Sequence, residues 1–336
     1  MSRKRLEQLF DVLGNTKDLR ILSHNNPDPD AIASAVALRH LLADQLGVDS
    51  HIAYLGNIGR AENKTLVRLL DEPIHSISDL NLDDDCPVAL VDTQPGAGNN
   101  ALPAGSDVAI VLDHHPRLKA TDLAGFADVR SDVGATSTIL TEYYRAAGLE
   151  PTSLLATALF YGIKTDTRGL GRSNVCPDDV AAYLYLQPRL DVDILAEIEY
   201  AQVPIDYFRS FGAALQAVRT YNGVVIAYIG QTRYPDMTAE TADFLLRLEG
   251  SQWVVCLGVY DDMLNLSIRT RQWRAEAGHL AQATVGEEGV AGGHDMMAGG
   301  QVVLRGQDPA LVAQRLSRRA LQFLHVASEV EGKLLI

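Results

Sequence analysis

Two short apolar segments, each ending in an aspartate, most constrain the fold of this chain. They are PVALVD at 87–92 and VAIVLD at 108–113, and neither shows the apolar–polar alternation of a half-exposed strand. Strands that are buried on both faces have this pattern, and they belong to parallel sheets covered by helices. Strand-like and helix-like segments also alternate along the N-terminal half, which is typical of doubly wound α/β folds. We therefore predict a doubly wound parallel sheet there.

A cluster of metal-ligand residue types follows another predicted strand. In residues 21–35, ILSHNNPDPDAIASA, an apolar strand runs into His24, and Asp28 and Asp30 come just before a predicted helix. Ligands of open α/β sheets bind beyond the carboxyl ends of the strands. Carboxylates suit hard divalent cations, and imidazole extends the choice towards manganese or zinc. The alternative is a polar loop in which Asp30 caps the helix.

Further acids and histidines lie at predicted element ends. Asp92 and Asp113 end the two apolar strands, His114 and His115 follow directly, and Asp166 closes an apolar helix. Adjacent parallel strands present their last residues along one edge, so these groups can converge with the first cluster. Two divalent ions could then share a bridging ligand, whereas so many carboxylates without cations would repel one another. Taken singly, each residue could equally be a turn or packing residue.

The length of 336 residues predicts two domains, because each half can bury its own core. We expect a metal-binding catalytic domain at 1–190 and a helical linker at 191–219. A smaller α/β domain follows at 220–336.

Composition limits the classes of partner. The net charge of −14 argues against binding long duplex nucleic acid, although a short phosphorylated substrate held by cations is compatible with it. No apolar run approaches the length of a membrane span. Cys86, Cys176 and Cys256 are far apart, so neither a disulfide framework nor a cysteine zinc site is indicated. These features predict a cytoplasmic protein that does not bind membranes.

The motifs together resemble a known family. HNNPDPDA, VDT, LDHHP and GIKTDT resemble, in order and spacing, the four successive motifs of the DHH phosphoesterase superfamily. SIRT at 267–270 and VAGGHDMMAGG at 290–300 resemble its DHH-associated C-terminal domain, which carries a GGH motif. The layout is similar to that of nanoRNases and pAp-phosphatases. This resemblance assigns metal binding to His24 and Asp28 for one manganese, Asp30 and His114 for the other, Asp92 as the bridge, and Asp166.

The resemblance also implies catalytic roles for Asp92, Asp113 and His115. Asp113 would not bind metal itself but would orient the metal ligand His114, and His115 would face the scissile phosphate. The family usually has glycine where this chain has Pro29, which removes one backbone N–H at that point.

The resemblance assigns substrate binding to the C-terminal domain, so that the predicted active site lies in the cleft between the two domains. Arg269 would hold a terminal phosphate, and Gly292, Gly293 and His294 would form a loop whose backbone N–H groups approach a phosphate. A flexible loop and a surface charge are the alternatives for these residues.

The implied function is a manganese-dependent phosphoesterase, with Mg²⁺ or Co²⁺ as alternative ions. It would hydrolyse short oligoribonucleotides (nanoRNA), pAp, or linear or cyclic dinucleotides by in-line attack of hydroxide on phosphorus, as an exonuclease-like hydrolase. A homodimer is the family expectation. The alternatives are a manganese inorganic pyrophosphatase, which has a different C-terminal domain without GGH, and a nucleotide-sensing protein without catalysis.

Overall fold

A computed structural model of the chain describes residues 3–77, 86–102, 105–172, 175–234, 236–272, 275–294 and 296–336. The chain divides into two compact units, Met1–Ala201 and Gln202–Ile336. Among the helices in these ranges, none is both long and apolar enough to cross a membrane.

The first unit is built on a six-stranded sheet in which every pair of neighbours is parallel. The strands are β1 (Asp18–Leu22), β2 (Asp49–Tyr54), β3 (Ile74–Ser76), β4 (Val88–Val91), β5 (Val108–Asp113) and β6 (Phe126–Val129). They run in the order β3-β2-β1-β4-β5-β6, and β4 is buried at all four residues. This arrangement confirms the predicted doubly wound sheet.

Helices cover this sheet. They are α1 (Arg3–Leu13), α2 (Pro29–Leu46), α3 (Ala61–Leu70), α4 (Thr136–Ala147), α5 (Ser153–Thr167), α6 (Pro177–Leu186) and α7 (Val192–Glu199). Helix α2 lies deep in the unit: it packs against α4 and α5, and most of its residues are buried.

The start of α2 is defined by its capping residues. The Asp28 side chain accepts a hydrogen bond from the N–H of Ala31 at 3.0 Å, so Asp28 caps the helix, not Asp30 as the alternative reading had it. Pro29 occupies the first turn, where a proline costs little because the first N–H groups of a helix have no partner within the helix.

The strand order positions a crevice. The chain winds outward from β1 through β2 to β3 and in the other direction from β4 through β5 to β6. A ligand crevice forms where the winding direction reverses, beyond the carboxyl ends of the two central strands. Those strands are β1 and β4, which lead into His24 and Asp92.

The second unit contains a seven-stranded mixed sheet. The elements of this unit are α8 (Ile205–Ala217), β7 (Arg219–Tyr221), β8 (Val224–Gln231), α9 (Met237–Leu245), β9 (Trp253–Tyr260), β10 (Met263–Thr270), α10 (Ala277–Val285), β11 (Gly289–His294), β12 (Met297–Val303), α11 (Pro309–Phe323) and β13 (Lys333–Leu334). The strand order is β11-β12-β10-β9-β8-β7-β13, in which β8 and β9 are parallel and the other pairs antiparallel. The expected second α/β domain is therefore present.

The glycine-rich GGH stretch is a strand, so its prediction as a loop is wrong. β11 pairs with β12, and Gly293 is opposite Ala298 in the register. Gly293 has φ +150°, and a Cβ atom there would lie 2.4 Å from the Cα of Ala298. Only glycine tolerates such a close approach, which means that Gly293 serves strand pairing.

Candidate metal centre

The loops after β1 and β4 bring the first metal-ligand candidates together. His24 follows β1 by two residues, and Asp28 stands at the cap of α2. The Nε2 atom of His24 lies 3.4 Å from Oδ2 of Asp92 and 3.8 Å from Oδ1 of Asp28. Each of these three residues offers one ligand atom, and the three atoms lie within 4.8 Å of one another.

A second group adjoins the first through the same aspartate. The Nε2 atom of His114 lies 3.5 Å from Oδ1 of Asp92 and 3.3 Å from Oδ2 of Asp166, in the last turn of α5. Asp30, His114 and Asp166 form another set with ligand atoms within 4.8 Å of one another. The two carboxylate oxygens of Asp92 therefore face different histidines. The structure brings together all six residues predicted to bind metal.

Asp92 is held in an unusual backbone conformation. It is buried, and its φ of +59° lies in the left-handed region, which costs a residue with a side chain of order 1 kcal/mol or more. Its N–H donates to the carbonyl of Leu112 at 2.9 Å, and the hydroxyl of Thr136 donates to its Oδ1 at 2.8 Å. These contacts hold the carboxylate between the two histidines.

Asp30 is positioned by the start of helix α4. Its Oδ2 accepts a hydrogen bond from the N–H of Thr136 and its Oδ1 one from the N–H of Ser137, both at 2.7 Å. A helix N-terminus favours negative charge, and these donors would otherwise lack a partner within the helix. The side chain is fully buried.

The acidic surroundings change the protonation of the histidines and acids. Burial alone would lower the pKa of His114, but Asp166, Asp92 and Asp30 outweigh it and raise the pKa to about 10. At His24, burial likewise lowers the pKa, but the hydrogen bonds and charges of Asp28 and Asp92 outweigh it. The pKa of His24 therefore lies well above its ordinary value. Burial and the charge of Asp28 raise the pKa of Asp166 to about 6. In the protein without cations, protons thus compensate part of the clustered negative charge.

The geometry fits divalent cations. The Nε2 atom of His114 is buried and has no hydrogen-bond partner among the described residues, although it lies among carboxylates. Adjacent ligand atoms around an octahedral ion are about 3 Å apart, close to the 3.3–3.5 Å separations at His114. Imidazole nitrogen together with carboxylate oxygen is a donor set that suits manganese or zinc.

Beside this cluster, a hydrogen-bond network fixes His115. The Asp113 Oδ1 atom lies 2.8 Å from Nδ1 of His115 and 3.2 Å from its backbone N, which donates to it. The expectation that Asp113 orients His114 is therefore wrong: the contact goes to the next histidine. The hydrogen bond to Asp113 also raises the pKa of His115.

Gln94 supports this network through hydrogen bonds of its side-chain amide. Its buried amide nitrogen donates to Oδ2 of Asp113 at 2.7 Å and to the carbonyl of Pro116 at 3.1 Å. Its oxygen accepts from the N–H of Leu118 and the hydroxyl of Thr121, both at 2.8 Å. Sequence analysis missed Gln94, although its place just after VDT was a clue. It also missed Thr136, which lies on a separate helix.

The substrate-binding candidates lie in the second unit. Arg269, on β10, donates from Nε to Asp243 at 2.5 Å and from Nη1 to the hydroxyl of Ser267 at 2.8 Å. Gly292, Gly293 and His294 belong to β11. Substrate binding by these four residues stays a prediction.

A separate group of the same residue types has a different setting. Asp18, Asp49 and His51 also place ligand atoms within 4.8 Å, but all three are exposed. Asp18 and Asp49 are the first residues of β1 and β2, so this group lies at the opposite edge of the sheet from the buried cluster. It offers a matched control for the buried site.

Comparison with known proteins connects this geometry to a family. Residues 18–163 match the family model described as "DHH family, N-terminal domain". The chain is 39% identical over 288 residues to the uncharacterized protein MJ1633 of Methanocaldococcus jannaschii, covering 85% of this chain and 58% of that protein. It is 30% identical over 170 residues to a probable manganese-dependent inorganic pyrophosphatase of Deinococcus radiodurans, covering 51% of this chain and 53% of that protein.

The chain thus spans little more than half the length of these two relatives. Among solved structures, an exopolyphosphatase-related protein of Bacteroides fragilis matches with a TM-score of 0.72. The match covers 96% of this chain and 97% of that one at 15% identity, which shows a shared fold. The motif residues, the parallel sheet and the family match agree: residues 18–163 of this chain match the N-terminal domain of the DHH family.

Proposed function

We propose that this protein is a phosphoesterase that depends on two divalent cations, with manganese as the preferred ion. The position of Asp92 carries the proposal, because its two oxygens face His24 and His114 at 3.4 and 3.5 Å. A carboxylate with this geometry can bridge two ions, and centres with two bridged ions are common in phosphoryl-transfer enzymes.

The two groups of residues divide the ligands. His24 and Asp28 would hold one ion, Asp30, His114 and Asp166 the other, and Asp92 both. When bound, such ions supply a water of lowered pKa and neutralise charge that develops on the phosphoryl oxygens.

The chain itself contributes orientation and a proton. The hydrogen bonds from Gln94 to Asp113 and between Asp113 and His115 place the His115 imidazole beside the cluster, with nearly half of its side chain exposed. Because Nδ1 is the atom that faces Asp113, the other ring nitrogen is left to face a substrate. In its protonated form, His115 could donate a hydrogen bond, or the proton itself, to the leaving ester oxygen.

For the substrate, we propose a short phosphorylated compound: nanoRNA of a few residues, pAp, or a linear or cyclic dinucleotide. The net charge of −14 disfavours long nucleic acid, whereas cations in the buried centre would attract a small phosphate ester. A second candidate is inorganic pyrophosphate, which is favoured by the similarity to the Deinococcus protein.

The decisive experiment is hydrolysis of bis-p-nitrophenyl phosphate with manganese, with EDTA, and after Asp92→Asn substitution. We expect turnover that requires the metal and falls at least about 100-fold in the variant, because even partners outside the ligand set commonly contribute 10–100-fold. Asp49→Asn, in the exposed group of the same residue types, is the matched control and should retain the parent rate.

A panel of pyrophosphate, pAp, dinucleotides and short RNA, with product analysis, then separates the substrate classes. Faster turnover of pyrophosphate than of any ester would favour the pyrophosphatase alternative. If the metal-loaded parent binds nucleotides but turns over no compound in the panel, the phosphoesterase proposal is wrong and a nucleotide sensor is the better description.

A further inference from the structure

The start of helix α4 supports two of the metal-ligand candidates at once. The N–H groups of Thr136 and Ser137 donate to Asp30. The hydroxyl of Thr136 donates to Asp92. Partners that orient metal ligands affect metal binding nearly as much as the ligands themselves do. The residues that fix this helix start therefore bear on the geometry of the centre.

Asp179, in the first turn of α6, accepts hydrogen bonds from the same helix start. The N–H of Gly134 donates to both of its carboxylate oxygens at 2.9 Å, and the hydroxyl of Thr138 donates to its Oδ1 at 2.6 Å. Along the chain, the two residues that support the metal ligands lie between Gly134 and Thr138. Asp179 thus holds this short segment at both of its ends.

The burial of Asp179 is more than a helix cap requires. The side chain is fully buried, and no basic side chain among the described residues forms an ion pair with it. Burying a carboxylate in this way is costly unless its oxygens accept hydrogen bonds. An acid that only capped α6 would need the N–H of Cys176, which donates to Oδ2 at 2.9 Å. The contacts with Gly134 and Thr138 instead connect α6 to α4.

Close packing leaves the start of α4 little room to adjust. A Cβ atom on Gly134 would lie 2.6 Å from Cγ2 of Thr167. A Cβ atom on Gly162, in α5, would lie 2.5 Å from Oγ of Ser137 and 3.1 Å from Oδ1 of Asp30. Interiors packed this closely transmit strain, so a displacement of the helix start would reach the ligand Asp30.

We propose that Asp179 is a positioning residue of the metal centre, which acts by fixing the start of α4. The donors of Thr136 and Ser137 then hold the two carboxylates in the geometry that cations need. Asp179 itself contacts neither cation nor substrate. The inference rests on the proposed function, because it concerns the centre on which that function depends.

Calorimetric titration of Mn²⁺ into the full chain tests this role without depending on turnover. Asp179→Ala removes the acceptor for Gly134 and Thr138, and we expect the affinity for Mn²⁺ to fall at least about fivefold. This factor is smaller than the 10–100-fold typical of a residue that touches a metal ligand directly, because Asp179 acts one step further away.

Asp179→Asn is the conservative variant. Its remaining oxygen can accept from the N–H of Gly134, and its amide nitrogen can donate to the hydroxyl of Thr138, which is also an acceptor. A role in positioning therefore predicts an affinity for Mn²⁺ within about threefold of the parent. If asparagine is as damaging as alanine, the geometry of this segment is not the cause and the inference is wrong.

A second variant guards against misfolding of the first. Thr138→Val removes only the hydroxyl that donates to Asp179. Thermal unfolding establishes that each variant is folded, and if Asp179→Ala is not, Thr138→Val carries the test. We expect it to weaken Mn²⁺ binding at least about threefold, and an affinity equal to that of the parent would overturn the inference.

Asp128→Asn is the matched control. Asp128 is another buried carboxylate of the first unit, and it accepts from the hydroxyl of Tyr143, about two turns beyond the start of α4. This variant should lower the melting temperature and keep the affinity for Mn²⁺ within about twofold of the parent.

Two results would show that Asp179 serves the fold alone: an unchanged affinity in Asp179→Ala, or an equal loss in Asp128→Asn. Failure of the phosphoesterase proposal would appear separately, as absent turnover in a parent that binds Mn²⁺.

Discussion

The Oδ1 atom of Asp92 lies 3.5 Å from Nε2 of His114, and the two residues come from the ends of adjacent strands β4 and β5. The other oxygen of the same carboxylate faces His24 after β1. One buried aspartate thus links histidines that follow β1 and β5, the two strands on either side of β4.

Divalent cations should stabilise the protein. The clustered carboxylates repel one another when no cation is bound. Burial and the charges of Asp92 and Asp166 accordingly raise the pKa of Asp30. A ligand that binds only the folded state at 100 times its dissociation constant adds about 2.7 kcal/mol to the free energy of unfolding. We expect Mn²⁺ to raise the melting temperature in differential scanning fluorimetry, and EDTA to reverse the rise. His51→Ala should keep the rise; a rise that also survives Asp92→Asn would place the cations elsewhere.

Thr136→Val should impair metal binding more than folding. The substitution removes the hydroxyl that donates to Asp92 at 2.8 Å but keeps the backbone N–H that donates to Asp30. Because loss of a partner that orients a metal ligand typically costs 10–100-fold, we expect manganese affinity to fall by about that factor in calorimetry. Thr136→Ser keeps the hydroxyl and should recover most of the affinity. Equal affinities for the valine and serine variants would contradict this role.

Gln94→Met should destabilise the protein. The substitution removes hydrogen bonds to Asp113, Pro116, Leu118 and Thr121, all around a buried side chain. Leaving buried donors and a carboxylate without partners should lower the free energy of unfolding by about 3 kcal/mol, measured by urea denaturation. Gln45→Met, at an exposed position on α2, is the control and should change it by less than about 0.5 kcal/mol. A difference below about 1 kcal/mol between the two variants would contradict the importance of this network.

Asp128 should contribute stability that is lost in acid. Burial alone would raise the pKa of Asp128, but Arg130, Arg5 and the hydroxyl of Tyr143 outweigh it and lower the pKa. A carboxyl whose pKa is lowered by folding stabilises the folded state above its unfolded pKa, near 4, and this stabilisation disappears as the pH falls through the folded pKa.

Asp128→Asn should therefore lower the free energy of unfolding at pH 7 by about 2 kcal/mol and make it less sensitive to pH below 4. Urea denaturation at a series of pH values measures both effects. Asp122→Asn, in an exposed ion pair with Arg117, should change little at any pH. If parent and Asp128→Asn lose stability in parallel on acidification, the ion pair is not the cause.

Part of the site could be predicted because its residues lie next to strong local patterns. His24, Asp92 and Asp113 each end or follow an apolar strand, and parallel strands present their ends at one edge. The Gly292–Gly293 segment was predicted wrongly because glycine permits both a loop and a closely packed strand. Its pairing with β12, which no local pattern shows, decides between them.

By itself, the sequence determined the parallel sheet, because periodicity is a local property of the chain, and its motifs marked six metal-ligand candidates through their resemblance to a known family. The tertiary structure alone decided that Asp113 contacts His115 rather than His114, and that Thr136 and Gln94 support the centre. These relationships depend on distances of a few ångströms between side chains from different elements. Spacing along the chain does not specify such distances, because packing sets them.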